Sequence, residues 1–180
     1  MAVTVYWVEY NGLYHDSSLG TALASSLNFG STDLANLVPA SYPIAAGSNS
    51  FAKYIKLHFS GSYTQISNAK LWKSNGEYKT GEVIKFSGNY IKGFEAPTAT
   101  ALPAVSGNSV PDIGTSAPGS ANVCLPNLTT DILKQSDYES TPGYASGAYS
   151  SMMAFQLQTT SNTPAGPVNQ KTISLTYDRQ

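Results

Sequence analysis

Apolar side chains recur at alternate positions in several short runs of this chain. Ile55, Leu57 and Phe59 fall on one side and Tyr54, Lys56 and His58 on the other, the pattern of a half-buried β-strand. Residues 3–10 alternate too, with Val3, Val5 and Trp7 on one side and Thr4, Tyr6, Val8 and Tyr10 on the other. Since both sides are largely apolar or aromatic, this strand is either covered on both faces by its own domain or lends one face to a subunit contact. Near the end, Met153, Phe155 and Leu157 alternate with Ala154, Gln156 and Gln158. Ile173, Leu175 and Tyr177 then alternate with Thr172, Ser174 and Thr176, and these two runs are predicted to pair antiparallel. Shorter strands are predicted at 27–31, ended by Gly30, at 83–86, and at 69–73 and 77–80 on either side of Asn75-Gly76. That dipeptide is a hairpin signal, because both central positions of a type I′ turn need positive φ.

Between these runs the chain is punctuated. Residues 96–121 carry Pro97, Pro103, Pro111 and Pro118 among small residues, which excludes a long regular element. Loops of this length are uncommon in compact domains and serve as binding loops, partner-ordered arms or passive inserts. Residues 128–135 form the best helix candidate, about two turns, with Thr129 or Thr130 as cap, Asp131 in the first turn and Lys134 near the end. Residues 136–150 return to Gly and Ser, with Tyr138, Tyr144 and Tyr149 either covering the domain's own edge or offering contact area to a partner. Seven to nine short strands with almost no helix predict an all-β fold, a two-sheet antiparallel β-sandwich of jelly-roll type spanning 1–180 as one domain. No internal repeat is present, which disfavours a propeller or β-helix.

Composition changes the picture of the surface. The chain is 41% hydrophobic but only 12% charged, with a formal charge of -1, so its polar exterior is built from Ser, Thr, Asn, Gln and Gly. Such an exterior suits contact with neighbours, whereas charge is the usual device against association. Ten Lys and Arg without a cluster do not make a phosphate-binding groove, so nucleic acid is not expected as a partner. The absence of an apolar run of ~18 residues and of a signal-type N-terminus predicts a chain made in the cytoplasm that does not span a membrane. Cys124 is the single cysteine and reads as a small packing residue.

Reaction chemistry is sparse. His15 and His58 lie in no metal-ligand spacing, and no G-x-S-x-G elbow accompanies His15-Asp16 to suggest a triad. Neither phosphate-cradling glycine motif occurs. The carboxylates Glu77, Glu82, Glu95, Asp112, Asp131, Asp137, Glu139 and Asp178 show no privileged pairing for glycoside hydrolysis and read as solvated loop groups. Asn127-Leu128-Thr129 matches a glycosylation sequon, of no use to a chain without a secretion signal. No catalytic residue, metal or cofactor is therefore expected. Candidate contact residues are Tyr6, Val8, Tyr10, Trp72, Tyr138, Tyr144 and Tyr149. An alternative use of Trp7, Trp72 and the tyrosines is a stacking platform for sugars, as in a carbohydrate-binding module or adhesin.

Residues 28–74 and 152–178 carry an F-G-S strand end, a Ser-Phe-x-Lys-Tyr strand entry, F-S-G followed by I-S-N-x-K-x-W, and a final strand ending T-Y-D. In these patterns the chain resembles structural proteins of tailed bacteriophages and prophages, over about two-fifths of its length. The resemblance implies a virion part placed in the tail, neck or baseplate region, or next as a head decoration protein. It would bind copies of itself and other virion proteins and transfers no catalytic residue.

Overall fold

The computed structural model describes residues 3–12, 20–24, 26–90, 96–102, 109–125, 148–166 and 169–180. The predicted helix at 128–135, the sequon at Asn127, His15-Asp16, Tyr138, Tyr144 and the carboxylates Glu95, Asp131, Asp137 and Glu139 lie outside the described residues. The described strands are β1 (Thr4–Tyr10), β2 (Thr21–Ala22), β3 (Lys53–Ser60), β4 (Ile66–Asn75), β5 (Glu82–Ser87), β6 (Ala148–Tyr149), β7 (Met153–Thr159) and β8 (Thr172–Arg179). They form two antiparallel sheets, as expected of a β-sandwich. The larger runs β2-β1-β3-β7-β5, with β6 also on β3, and the smaller is β4-β8. The eight-strand, two-Greek-key order of a jelly roll is not among the pairings these strands make.

Alternation set the faces as predicted. Ile55, Leu57 and Phe59 of β3 join Met153, Phe155 and Leu157 of β7 and Ile84 and Phe86 of β5 on the inner face, against Ile66, Ala69 and Leu71 of β4. The Phe155 ring lies 4.9 Å from Phe86 and 6.1 Å from Trp7, centroid to centroid. Burying each such side chain contributes roughly 1.5–3 kcal/mol.

The outer face of the same sheet departs from the half-buried expectation. Val8 and Tyr10 of β1, Tyr54 of β3 and Ala154 of β7 form a second apolar cluster with Tyr90, Leu102 and Val110, and Lys56 is buried as well. Much of the cover is the Pro-rich stretch 96–121, whose described parts are a packed strap. The Ala52 amide donates to Thr98 O, the Phe86 amide to Pro111 O and the Ile113 amide to Ile84 O. Farther on, the Lys73 amide donates to Gly114 O, and Asn122 exchanges two 2.8 Å bonds between its side-chain amide and the Leu71 backbone. The strap thus closes the β5 edge and crosses to the β4 edge, satisfying ladder groups that would otherwise stand open.

Three strand predictions are corrected by pairing. β7 and β8 lie in different sheets, β7 between β3 and β5 and β8 on β4. Asn75-Gly76 does not close a hairpin: only Gly76 has positive φ, at 87°, and 77–80 is a crossing link to the other sheet. Gly is required there because a Cβ would come within 2.3 Å of Gln170 O. Residues 27–31 form no strand; they make isolated backbone bonds, Phe51 N to Gly30 O and Ser31 N to Tyr42 O.

Candidate functional site

The outer face carries an aromatic row. Alternation points Tyr6, His58 and Tyr149 outward, and the registers Tyr6↔His58 and His58↔Tyr149 bring them side by side. Tyr6 stacks on His58 at 5.8 Å, and His58 on Tyr149 at 4.5 Å with only 11° between planes. Tyr6 remains 45% exposed, while His58 and Tyr149 are half-buried. Val8 and Tyr10, proposed from sequence as contact residues, are only 6% and 7% exposed and belong to the domain's own second cluster. Their apolar surface goes inward because the sheet is covered at that end. Trp72 is half-buried on β4, opposite Ser174 and away from the row.

A second feature is an open groove of about 1,200 Å³ on the inner face of the large sheet, lined by Trp7, Phe155, Leu157 and Ile84 from that sheet, by residues of 23–46 such as Phe29 and Ile44, and by Ile173 at the start of β8. Among its lining residues Glu82 and Lys171 form an ion pair of 2.7 Å. Glu82 is thus buried and paired, not a solvated loop carboxylate: its second oxygen accepts the Lys79 amide at 2.8 Å. The Lys171 and Lys73 ammoniums lie 5.3 and 4.9 Å from the Tyr78 ring centroid, a cation–π arrangement. Burial pushes the Tyr78 phenol above its ordinary value, and the nearby Glu82 and Asp112 charges add to the rise.

The third is a buried charge pair that sequence reading missed. Lys53 Nζ donates to Glu9 Oε1 at 2.7 Å and to Leu34 O at 2.9 Å. Asn11 Nδ2 donates to the same Glu9 oxygen at 3.0 Å and also bonds Asp33. Burial pushes the Glu9 carboxyl above the ordinary carboxylate value against the pull of Lys53. Parity was the available signal: Glu9 continues the inward series Val5, Trp7, and Lys53 precedes Ile55, Leu57, Phe59 in phase. Glu9 sits opposite Ile55, so Lys53 is its diagonal neighbour on the same face.

Among the described residues no group of three or more His, Cys, Asp or Glu is arranged to hold a metal. Cys124 is half-buried. Lys85 pairs with Asp112 at the strap, an exposed contact of small energetic weight. Among the described residues no helix is long and apolar enough to cross a membrane. No family model, curated protein or solved structure matches the chain.

Proposed function

We propose that this chain is a structural, non-enzymatic subunit of a tailed-bacteriophage virion, working by contact with copies of itself and with other virion proteins in the tail, neck or baseplate, or next as a head decoration protein. The observation that carries the contact reading is the outward aromatic row Tyr6–His58–Tyr149, with Tyr6 45% exposed on a surface poor in charge. Aromatic side chains concentrate binding energy at protein interfaces because they offer large area at low entropy cost. The phage assignment is supported by the sequence patterns of 28–74 and 152–178. Mass spectrometry of purified virions tests it: the chain is expected in a fixed, symmetry-related copy number, and its absence from particles overturns the proposal.

Sugar stacking is the second reading, favoured by the density of aromatic rings on one face. The geometry argues against it at the row, because rings stacked at 4.5 Å and 11° cover one another's faces, whereas a sugar needs a free face. A glycan array with Tyr6→Ala and Trp72→Ala separates the two: specific binding lost in either variant supports the sugar reading.

A further inference from the structure

Three side chains converge where β1 ends. Alternation puts Glu9 and Asn11 on the same side as Val5 and Trp7, and continuing the register one step beyond Tyr10↔Tyr54 sets Asn11 against Lys53 of β3. Directly opposite residues of an antiparallel pair hold their Cβ atoms about 4.5–5.5 Å apart. Lys53 Nζ and Asn11 Nδ2 both donate to one atom, Glu9 Oε1, at 2.7 and 3.0 Å. A primary amine and a carboxamide are thereby held side by side, with a single carboxylate oxygen touching the nitrogen of each. Little of this meets water: the Lys53 and Glu9 side chains are 0% and 1% exposed, and Asn11 is half-buried. Asp33 fixes Asn11 in place, accepting from its Nδ2 with one oxygen and from the Gly12 amide at 2.7 Å with the other. The second bond occupies the backbone nitrogen that, in an Asn-Gly pair, would otherwise attack the Asn11 carboxamide.

An amine, an amide and one acid–base group within hydrogen-bond reach of both nitrogens are the parts of an acyl transfer to lysine. We propose that Asn11 and Lys53 become joined by an isopeptide bond, Cγ to Nζ, with loss of ammonia and with Glu9 as the catalytic acid and base. The Lys53 ammonium passes one proton to Glu9, and the freed Nζ electron pair attacks Asn11 Cγ. Glu9 then donates that proton to Nδ2 as the Cγ–Nδ2 bond breaks, and takes the surplus proton from Nζ. Ammonia leaves, the Cγ–Nζ amide stays, and Glu9 ends as a neutral acid. Two buried charges disappear in the product. Burial, which pushes the Glu9 carboxyl above its ordinary value, favours that neutral end state. Folding has already placed the reacting groups together, so the reaction proceeds without the entropic cost of an encounter. The bond ties β1 to β3 and closes residues 11–53 into a covalent loop, pinning a flank of the large sheet that carries only β2 beyond it among the described strands. It stands independently of the subunit-contact reading.

Mass spectrometry of the full chain, intact and after proteolysis, tests it. Full mass in freshly made protein marks the unreacted, ion-paired state; on prolonged incubation in the folded state the chain is expected to become lighter by one ammonia. Lys53 is the first Lys or Arg of the sequence, so trypsin releases a peptide ending there from unlinked chain. Linked chain is expected to resist at Lys53 and yield a peptide running on to Lys56, whose two halves stay joined after a further cut at Asp33. Glu9→Gln is expected to slow the reaction roughly 100-fold or more. Lys53→Met and Asn11→Ala are expected to keep full mass, and Asn11→Ala retains the ion pair should the buried variants fail to fold. Wild type that keeps full mass overturns the proposal, as does loss of ammonia that persists in Asn11→Ala or in Lys53→Met. Loss of water overturns it in favour of a bond from Lys53 to a carboxyl group, and loss of ammonia with the halves separable at Asp33 overturns it in favour of a cyclic imide at Asn11-Gly12.

Discussion

The pair Glu9–Lys53 offers a measurement whose size follows from its surroundings. The side chains are 1% and 0% exposed and 2.7 Å apart, so neither charge has recourse to water. Glu9→Leu leaves the Lys53 ammonium buried without a counter-charge, and Lys53→Met leaves a carboxylate that burial already drives toward protonation. Each single change is expected to cost about 3–5 kcal/mol. In the double variant Glu9→Leu/Lys53→Met the charges go together; what remains is the loss of a donor for Leu34 O and of an acceptor for Asn11, roughly 1 kcal/mol each. The double variant should therefore be far more stable than the singles sum to, a coupling of at least ~3 kcal/mol. Urea unfolding reads this as shifts in midpoint at constant slope.

The same pair carries a pH signature. Because the folded carboxyl lies above its value of 4.5 in the open chain, the native state holds more protons than the unfolded state between those two values. The contribution of Glu9 is thus complete below the unfolded value and declines as pH rises through the folded one. The stability difference between wild type and Glu9→Gln should fall over that window. Single-variant costs that add within ~0.5 kcal/mol, or a difference that rises with pH, would refute the reasoning.

Other expectations concern the devices that hold the sheets together. Ser150 Oγ accepts the Leu57 amide at 2.9 Å where β6 gives way to β7, so Ser150→Ala should cost about 1–3 kcal/mol in denaturant unfolding. Gln156 donates to Ser50 O and Thr100 O and accepts the Leu102 amide, pinning the start of the strap; Gln156→Ala should cost about 1–3 kcal/mol and speed exchange at Leu102. Gly88→Ala should severely impair folding, since a Cβ would lie 1.6 Å from Asn122 O; soluble expression and thermal melting check it. Tyr6→Ser should change stability by no more than about 0.5 kcal/mol yet reduce incorporation into particles, measured by quantitative mass spectrometry.

Side-chain parity in β1, β3, β5, β7 and β8 was legible in the sequence, because alternation is a local property of an extended backbone and needs no knowledge of the partner. That alone determined an all-β chain and selected Ile55, Leu57, Phe59, Met153, Phe155 and Leu157 as core, all of them buried. Which strand lies beside which was decided only in three dimensions. β7 and β8 are equally apolar on one face, and nothing local distinguishes pairing with each other from pairing with β3, β5 and β4. Asn75-Gly76 matched a hairpin by residue type, yet the close approach of Gln170 uses the glycine for a different bend. The outer face was misread for the same reason: Tyr54 and Lys56 look solvent-facing until a strap from 96–121 is folded over the sheet. Burial of Val8, Tyr10 and the Glu9–Lys53 pair arises from segments distant in sequence meeting across a sheet, so tertiary structure alone settles that these side chains are closed off from water.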